Sequence, residues 1–230
     1  MSGLYTPDLA RIHAEGYNDT FDEAHDWLAA EILHGPVNAH LFDIGCGDGT
    51  WLSVAEDRGV MGEGVDLSPA FVEIAQARGL LVKQGNAADI HIPKGTTAVT
   101  CLGEVLSYID TTTKRDTLLP VAQVAFDALP SGGLLFADLI GPRCLPHARR
   151  NTGADWQMRI EVTVERDRLT RRIETQVDDR VDTVIHQQSR RHPDRTKRAL
   201  EGIGWHCEIL DSYGPAGLLP GRFAIKLTKP

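Results

Sequence analysis

The chain has 230 residues, is 42% hydrophobic and carries a net charge of −8, which suits one full-sized domain with its own core and argues against a protein that coats nucleic acid by charge. No run of about 18 apolar residues exists to span a bilayer, and no basic start precedes an apolar leader core. Cys46, Cys101, Cys144 and Cys207 form no CxxC pair, which speaks against a zinc ribbon and for reduced thiols in a cytoplasmic protein.

Helices are predicted over 7–16 and 21–33, the second with Phe21, Ala24, Trp27, Leu28 and Leu33 on one face and a stop at Gly35-Pro36. Strand and helix then alternate. Strands are expected over 39–44, 62–67, 80–85, 97–103 and 133–140, with helices over 50–58, from Pro69 to near Gly79, and over 113–129. Ser68 is placed to cap the second of these helices, with Pro69 at its first position. Such alternation implies a doubly wound, mostly parallel sheet with helices on both faces.

The rhythm changes at Trp156. Trp156, Met158, Ile160, Val162 and Val164 alternate with polar residues, and 168–177 and 180–189 also look like half-buried strands. We read an antiparallel β meander inserted after the fifth strand. A helix over 193–203 and strands over 205–211 and 222–228 close the chain. The expected division is a single domain over 1–230. Within it lie a helical cap (1–38), a ligand-binding core (39–140), the meander as lid or dimer surface (150–190), and a final helix with two strands (191–230). Between Gly141 and Arg198 the chain counts 14 Lys and Arg against 9 Asp and Glu. This basic segment either faces an anionic substrate or is a solvated, salt-bridged sheet.

The stretch "LFDIGCGDGT" (41–50) places Gly45, Gly47 and Gly49 between a buried strand and a helix start, where free N–H groups and a helix dipole favour negative ligand groups. Asp66 ends the next strand, positioned to accept from both hydroxyls of a ribose. "GNAADI", from Gly85, follows the third strand, where an adenine edge would lie. The dinucleotide pattern GxGxxG is incomplete at Thr50, and GxxxxGK[ST] is absent, so a nucleoside with a small charged tail fits better than a pyrophosphate ligand.

With "FDIGCGDG", "GVDLSPAFVEIAQARG", "GNAADI", "AVTCLGEVLSYI" and "ALPSGGLLFADL" in order over about 39–140, the sequence resembles the class I S-adenosylmethionine-dependent methyltransferases. The resemblance implies a Rossmann-like, seven-stranded sheet whose last strand, "RFAIKLT", runs antiparallel. It implies S-adenosyl-L-methionine as cofactor and S-adenosyl-L-homocysteine as product. Carried over, it puts Asp43, Gly45, Cys46, Gly47 and Gly49 around the methionine part, although Asp43 could instead only support the loop. It puts Asp66 on the ribose, Leu67 against adenine, and Asn86 and Ala87 at the adenine edge. Asn86 departs from the Asp common in the family. Gly103 and Glu104 would lie beside the sulfonium, and Tyr17 resembles an N-terminal aromatic that closes over the cofactor.

Methyl transfer needs a nucleophile held in line with the S–CH3 bond and, for some acceptors, a base. Glu104, Tyr108 and His186 are the catalytic candidates; Glu104 could instead contact the cofactor or cap the next segment, and His186, on the polar face of its strand with Asp182, Gln188 and Arg190, could instead be an exposed or structurally bonded histidine. Glu104 and Asp138 end adjacent strands, but no third metal ligand is evident, and no metal is expected. The expected reaction is methyl transfer to O or N of a small molecule by a monomer or homodimer. The alternatives are a tRNA methyltransferase gripping RNA with the Arg-rich meander, or a cofactor-binding protein without transfer activity. Neither [DNS]PP[YFW] nor a PC nucleophile is present to support nucleic acid.

Overall fold

Helix α1 (Pro7–Gly16) starts where Thr6 Oγ1 accepts from Leu9 N at 3.3 Å, and it buries Leu9, Ala10 and Ile12. Helix α2 (Asp22–Leu33) buries Ala24, Leu28, Ala29 and Ile32. The computed structural model describes residues 5–16, 22–36, 38–109 and 116–230. Phe21 and residues 113–115 lie outside the described residues; residues 116 and 117 precede the helix expected from 113, which starts at Leu118.

The alternation follows: β1 (His40–Ile44), α3 (Thr50–Asp57), β2 (Met61–Asp66), α4 (Pro69–Ala77), β3 (Val82–Gln84), β4 (Ala98–Cys101), α5 (Leu118–Ala128) and β5 (Leu134–Ile140). The Ser68 hydroxyl accepts from Phe71 N, with Pro69 in the first turn of α4, as the sequence predicts. Then come β6 (His147–Thr152), β7 (Trp156–Glu165), β8 (Arg168–Val177), β9 (Arg180–Ser189), α6 (Pro193–Glu201) and β10 (His206–Leu210). A short hairpin, β11 (Ser212–Tyr213) with β12 (Ala216–Gly217), and β13 (Arg222–Thr228) complete the chain.

The main sheet has seven strands in the order β10-β13-β5-β4-β1-β2-β3. Strand β13 runs antiparallel to both β10 and β5, the expected reversal of the last strand. All seven residues of β5 are buried, as a central strand covered on both faces requires. Leu118, Val121, Ala122 and Ala125 of α5 pack one face of the sheet. Leu28 of α2, Leu52 of α3 and Ala75 of α4 pack the other.

The meander is one strand larger than expected. Strand β6 pairs β7 in a four-stranded antiparallel sheet, β6-β7-β8-β9. Almost all of "HARRNT" is exposed, so this edge strand has no buried face and no alternation for a sequence reading to find. The inner face of the meander carries Met158, Ile160, Val162, Leu169, Ile173 and Val184. It closes on Leu9 and Ile12 of α1 and on Ile140 at the end of β5. Ile109 N donates to Gln187 O at 2.9 Å, stitching β9 to the segment that leaves β4. The meander and α1 therefore sit over the carboxyl ends of the parallel strands, where doubly wound sheets bind ligands.

Candidate functional site

At the end of β1, Gly45 N and Cys46 N both donate to Val65 O, at 2.7 and 3.1 Å, and turn the chain sharply. Gly45 has φ 73°, and a Cβ there would fall 2.4 Å from Val105, so no side chain fits. Gly47 has φ 56° and open space where its Cβ would be, on the cavity. The other members of the stretch differ from the expectation. A Cβ at Gly49 would strike Leu80 at 2.3 Å, so this glycine lets α3 and α4 close on each other. The Cys46 thiol faces Gly64, and its burial pushes its pKa up. Neither lines the cavity.

Asp43 is also held behind the loop. Its carboxylate accepts from Thr100 Oγ1 at 2.6 Å, and Thr100 in turn accepts from Trp51 Nε1 at 3.0 Å. Burial pushes the Asp43 pKa up to about 7, against the opposing Thr100 bond. Of its two expected roles, support of the loop is the one this geometry allows directly.

The cavity above encloses about 960 Å3, its open mouth and the solvent in it included. Its floor comes from strand ends: Ile44, Gly45, Gly47, Asp66, Leu67, Asn86, Ala87 and Gly103. Asp66 Oδ2 accepts from Gly47 N at 2.9 Å and Oδ1 from Ser68 N at 2.8 Å. Burial pushes its pKa up, while these N–H groups pull it back. Leu67 presents an exposed side chain to the cavity. Asn86 lines it too, but its Oδ1 accepts from Ala88 N at 3.0 Å and caps the 3-10 turn Ala87–Asp89.

Glu104 departs most from its expected place. Its neighbours Gly103 and Val105 line the cavity, but its own side chain turns into the protein with 4% exposure. Oε2 accepts from Arg171 (β8) at 3.0 Å and from Gln188 (β9) at 2.9 Å, and Oε1 pairs with Arg222 (β13). Burial lowers the Arg222 pKa to about 10. Glu104 sits at φ 66°, a left-handed conformation costly for a side chain. Gly103 N and Glu104 N donate to the Asp138 carboxylate, at 2.7 and 3.0 Å, and fix this turn. Asp138 itself, buried, is pushed up to about 7. Glu104 is thus a clasp between the parallel sheet and the meander, with no carboxylate oxygen left facing a substrate.

Tyr108 lines the cavity, and its Oη shares a hydrogen bond with His186 Nδ1 at 3.2 Å. His186 was expected on a polar face of its strand. That face points inward: His186 and Gln188 are fully buried, while Val181 and Ile185 are exposed on the other side. The imidazole therefore stands one bond behind the cavity wall. Tyr5, before α1, completes an aromatic cluster, its ring 5.2 Å from His186 and 4.7 Å from Phe71, and its hydroxyl bonds to Tyr108. Burial holds the Tyr5 pKa well above its usual value. Tyr17, expected to cover the cofactor, lies outside the described residues.

Tyr5, His13, Phe71 and Thr117 line the cavity but carried no functional signal in the sequence. Phe71 reads as an apolar helix residue, and Tyr5 meets the site only because α1 folds back under the meander. Among the described residues no three His, Cys, Asp or Glu side chains converge as a metal site. No helix among them is long and apolar enough to cross a membrane.

A protein-family model described as a methyltransferase domain matches residues 18–195. The chain is similar to dTDP-3-amino-3,6-dideoxy-alpha-D-glucopyranose N,N-dimethyltransferase from Streptomyces fradiae, 28% identical over 123 residues. That match covers 53% of this chain and about half, 48%, of the relative's length. In fold the chain is similar to an S-adenosylmethionine-dependent methyltransferase from Clostridium acetobutylicum, with a TM-score of 0.78 at 15% identity, covering 96% of this chain and 98% of the other. It is similar also to an amino pentose methyltransferase from Micromonospora echinaspora solved with S-adenosylmethionine bound, with a TM-score of 0.71 at 18% identity over the whole of both chains.

Proposed function

We propose, because the chain belongs to the family of S-adenosylmethionine-dependent methyltransferases, that it methylates the amine nitrogen of a small molecule, with amino sugars as the first class to test. The cavity suits the cofactor by its own features. Gly47 leaves open space beside the loop, Asp66 offers an anchored carboxylate, and Leu67 offers an apolar surface. In this reading Gly45 and Gly47 hold the methionine part and Asp66 the ribose. Leu67, Asn86 and Ala87 flank the adenine, and Gly103 lies beside the sulfonium. Bound there, the cofactor supplies a methyl group activated by positive sulfur to an in-line nucleophile.

The observation that carries the choice of nitrogen is the Tyr108–His186 pair. A simple amine reaches the protein as an ammonium and must lose a proton before its lone pair can attack. With His186 Nδ1 unprotonated, Tyr108 donates to it, and the Tyr108 oxygen, which accepts from Tyr5, keeps a second lone pair for the substrate. The ammonium proton can pass to that oxygen as the tyrosine proton passes to Nδ1. Tyr5 and Phe71 close the wall beside the pair and exclude water. The names of the amino-sugar relatives support the same class. The test is transfer of labelled methyl from S-adenosylmethionine to free and nucleotide-linked amino sugars, to their hydroxyl analogues and to tRNA. Label in the amines is expected; label confined to hydroxyl analogues or to RNA overturns the proposal.

A further inference from the structure

Thr117 is anomalous in the wall of the cavity. It is 6% exposed, lines the cavity, and its Oγ1 has no hydrogen-bond partner among the described residues. A buried hydroxyl without a partner is costly, by an amount comparable to a lost hydrogen bond. The usual structural explanation fails here. Thr117 stands at the N-cap of α5, but with φ −100° and ψ −15° its side chain makes no capping bond. The residue is therefore a threonine whose hydroxyl makes no hydrogen bond among the described residues.

Its neighbourhood indicates what the hydroxyl is for. Thr117 lines the same cavity as Asn86 and Ala87, and helix α5, which it precedes, packs against the 3-10 turn Ala87–Asp89. That segment is where the purine edge lies in the proposed function, on which this inference rests. The Asn86 side-chain oxygen, which would accept from the exocyclic amine, already caps Ala88 N. That oxygen keeps one lone pair for the purine edge, and one polar group on the same cavity has no partner among the described residues.

We infer that Thr117 is a further cofactor-binding residue, its hydroxyl hydrogen-bonding the polar edge of the purine. Rotation about χ1 interchanges the staggered positions on Cβ and brings the hydroxyl to the cavity without moving the backbone. Burial keeps competing water away, so the contact favours a ligand that carries a hydrogen-bonding base.

Calorimetry with two probes on wild type, Thr117→Val and Thr117→Ser tests this. S-adenosylhomocysteine carries both ends of the cofactor; 5′-methylthioadenosine keeps the base and ribose but lacks the amino-acid end. Thr117→Val is isosteric and removes no bond of the ligand-free fold, so its melting temperature without ligand should not fall. The valine variant should bind both probes about five- to tenfold more weakly, the worth of one neutral hydrogen bond. The serine variant should stay within about twofold of wild type for both, since it keeps the hydroxyl. Wild-type affinity for both probes in Thr117→Val overturns the inference. So does a loss confined to S-adenosylhomocysteine, which would move the contact to the amino-acid end. If wild type binds neither probe, the cofactor reading of the cavity falls, and this inference with it.

Discussion

Tyr108 sets a proton acceptor on the cavity wall with a fully buried imidazole 3.2 Å behind it. A relay of this kind moves protons and adds little to cofactor affinity. Tyr108→Phe and His186→Gln should each lower kcat by about a hundredfold at neutral pH, within the usual range for loss of a general base. Affinity for S-adenosylhomocysteine should change less than about threefold, since neither change touches the glycine loop or Asp66. For both variants the loss should shrink as the pH of the assay rises and the free amine becomes abundant. Stopped kcat measurements from pH 6.5 to 9.5 check this, and a pH-independent loss would remove the base role. Asp43 gives a second prediction at this scale. Burial raises its folded pKa to about 7, above the ordinary range of an unfolded aspartate. The folded state then holds an extra proton between the two values, so this residue's contribution to stability is present at low pH and lost as pH rises through about 7. Asp43→Asn keeps an acceptor for Thr100 and never carries the charge. Its melting temperature relative to wild type should therefore climb from pH 4 to pH 8, and a flat difference would refute the shift.

Between elements, the contact that decides the shape of the site is the Glu104 clasp. One carboxylate stands against two arginines from different strands and one glutamine from a third. Removing the negative charge leaves two partly buried like charges side by side, whereas removing Arg171 leaves Glu104 still paired with Arg222 and Gln188. Glu104→Gln should therefore cost about 3–5 kcal/mol of unfolding free energy, and Arg171→Met roughly 1–2 kcal/mol. Urea unfolding of both variants measures the order, and equal losses would mean the arginines are not electrostatically coupled through Glu104. The clasp also explains what could and could not be read beforehand. Buried strands and glycine-terminated helices announce themselves by periodicity and punctuation, so β1 to β5 and their helices were legible. Cavity-facing Gly45, Gly47 and Asp66 follow from strand-end positions alone. Glu104 was misplaced because its strand end is shared by two outlets, the cavity and the meander, and only the tertiary arrangement chooses between them. Edge strand β6 was invisible because nothing buries it. Thr117 and Tyr5 meet the site across long sequence separations that no local pattern encodes.

Across the whole molecule, the cavity draws its walls from three separate parts of the chain. Strand ends give Gly47, Asp66 and Asn86; Tyr5 and His13 come from the first helix and its approach; Tyr108 and Thr117 come from the long connection after β4. A ligand that touches all three joins them, and its binding energy becomes stability of the whole chain. At S-adenosylhomocysteine one hundred times its Kd, linkage adds about 2.7 kcal/mol to unfolding, or about 5–10 °C in Tm for a chain of this size. Asp66→Ala removes the acceptor of both Gly47 N and Ser68 N and the proposed ribose contact. If that weakens binding by about thirtyfold, or about 2 kcal/mol, the same ligand concentration contributes only about 0.9 kcal/mol, a third of the wild-type shift. Hydrogen exchange then locates the effect. With α1 forming part of the wall through Tyr5 and His13, its amides should gain protection on ligand binding in wild type and much less in Asp66→Ala. An undiminished shift in the variant would remove Asp66 from the ribose. An unchanged α1 would mean that the first helix packs on the meander as Leu9 and Ile12 show but takes no part in holding the cofactor.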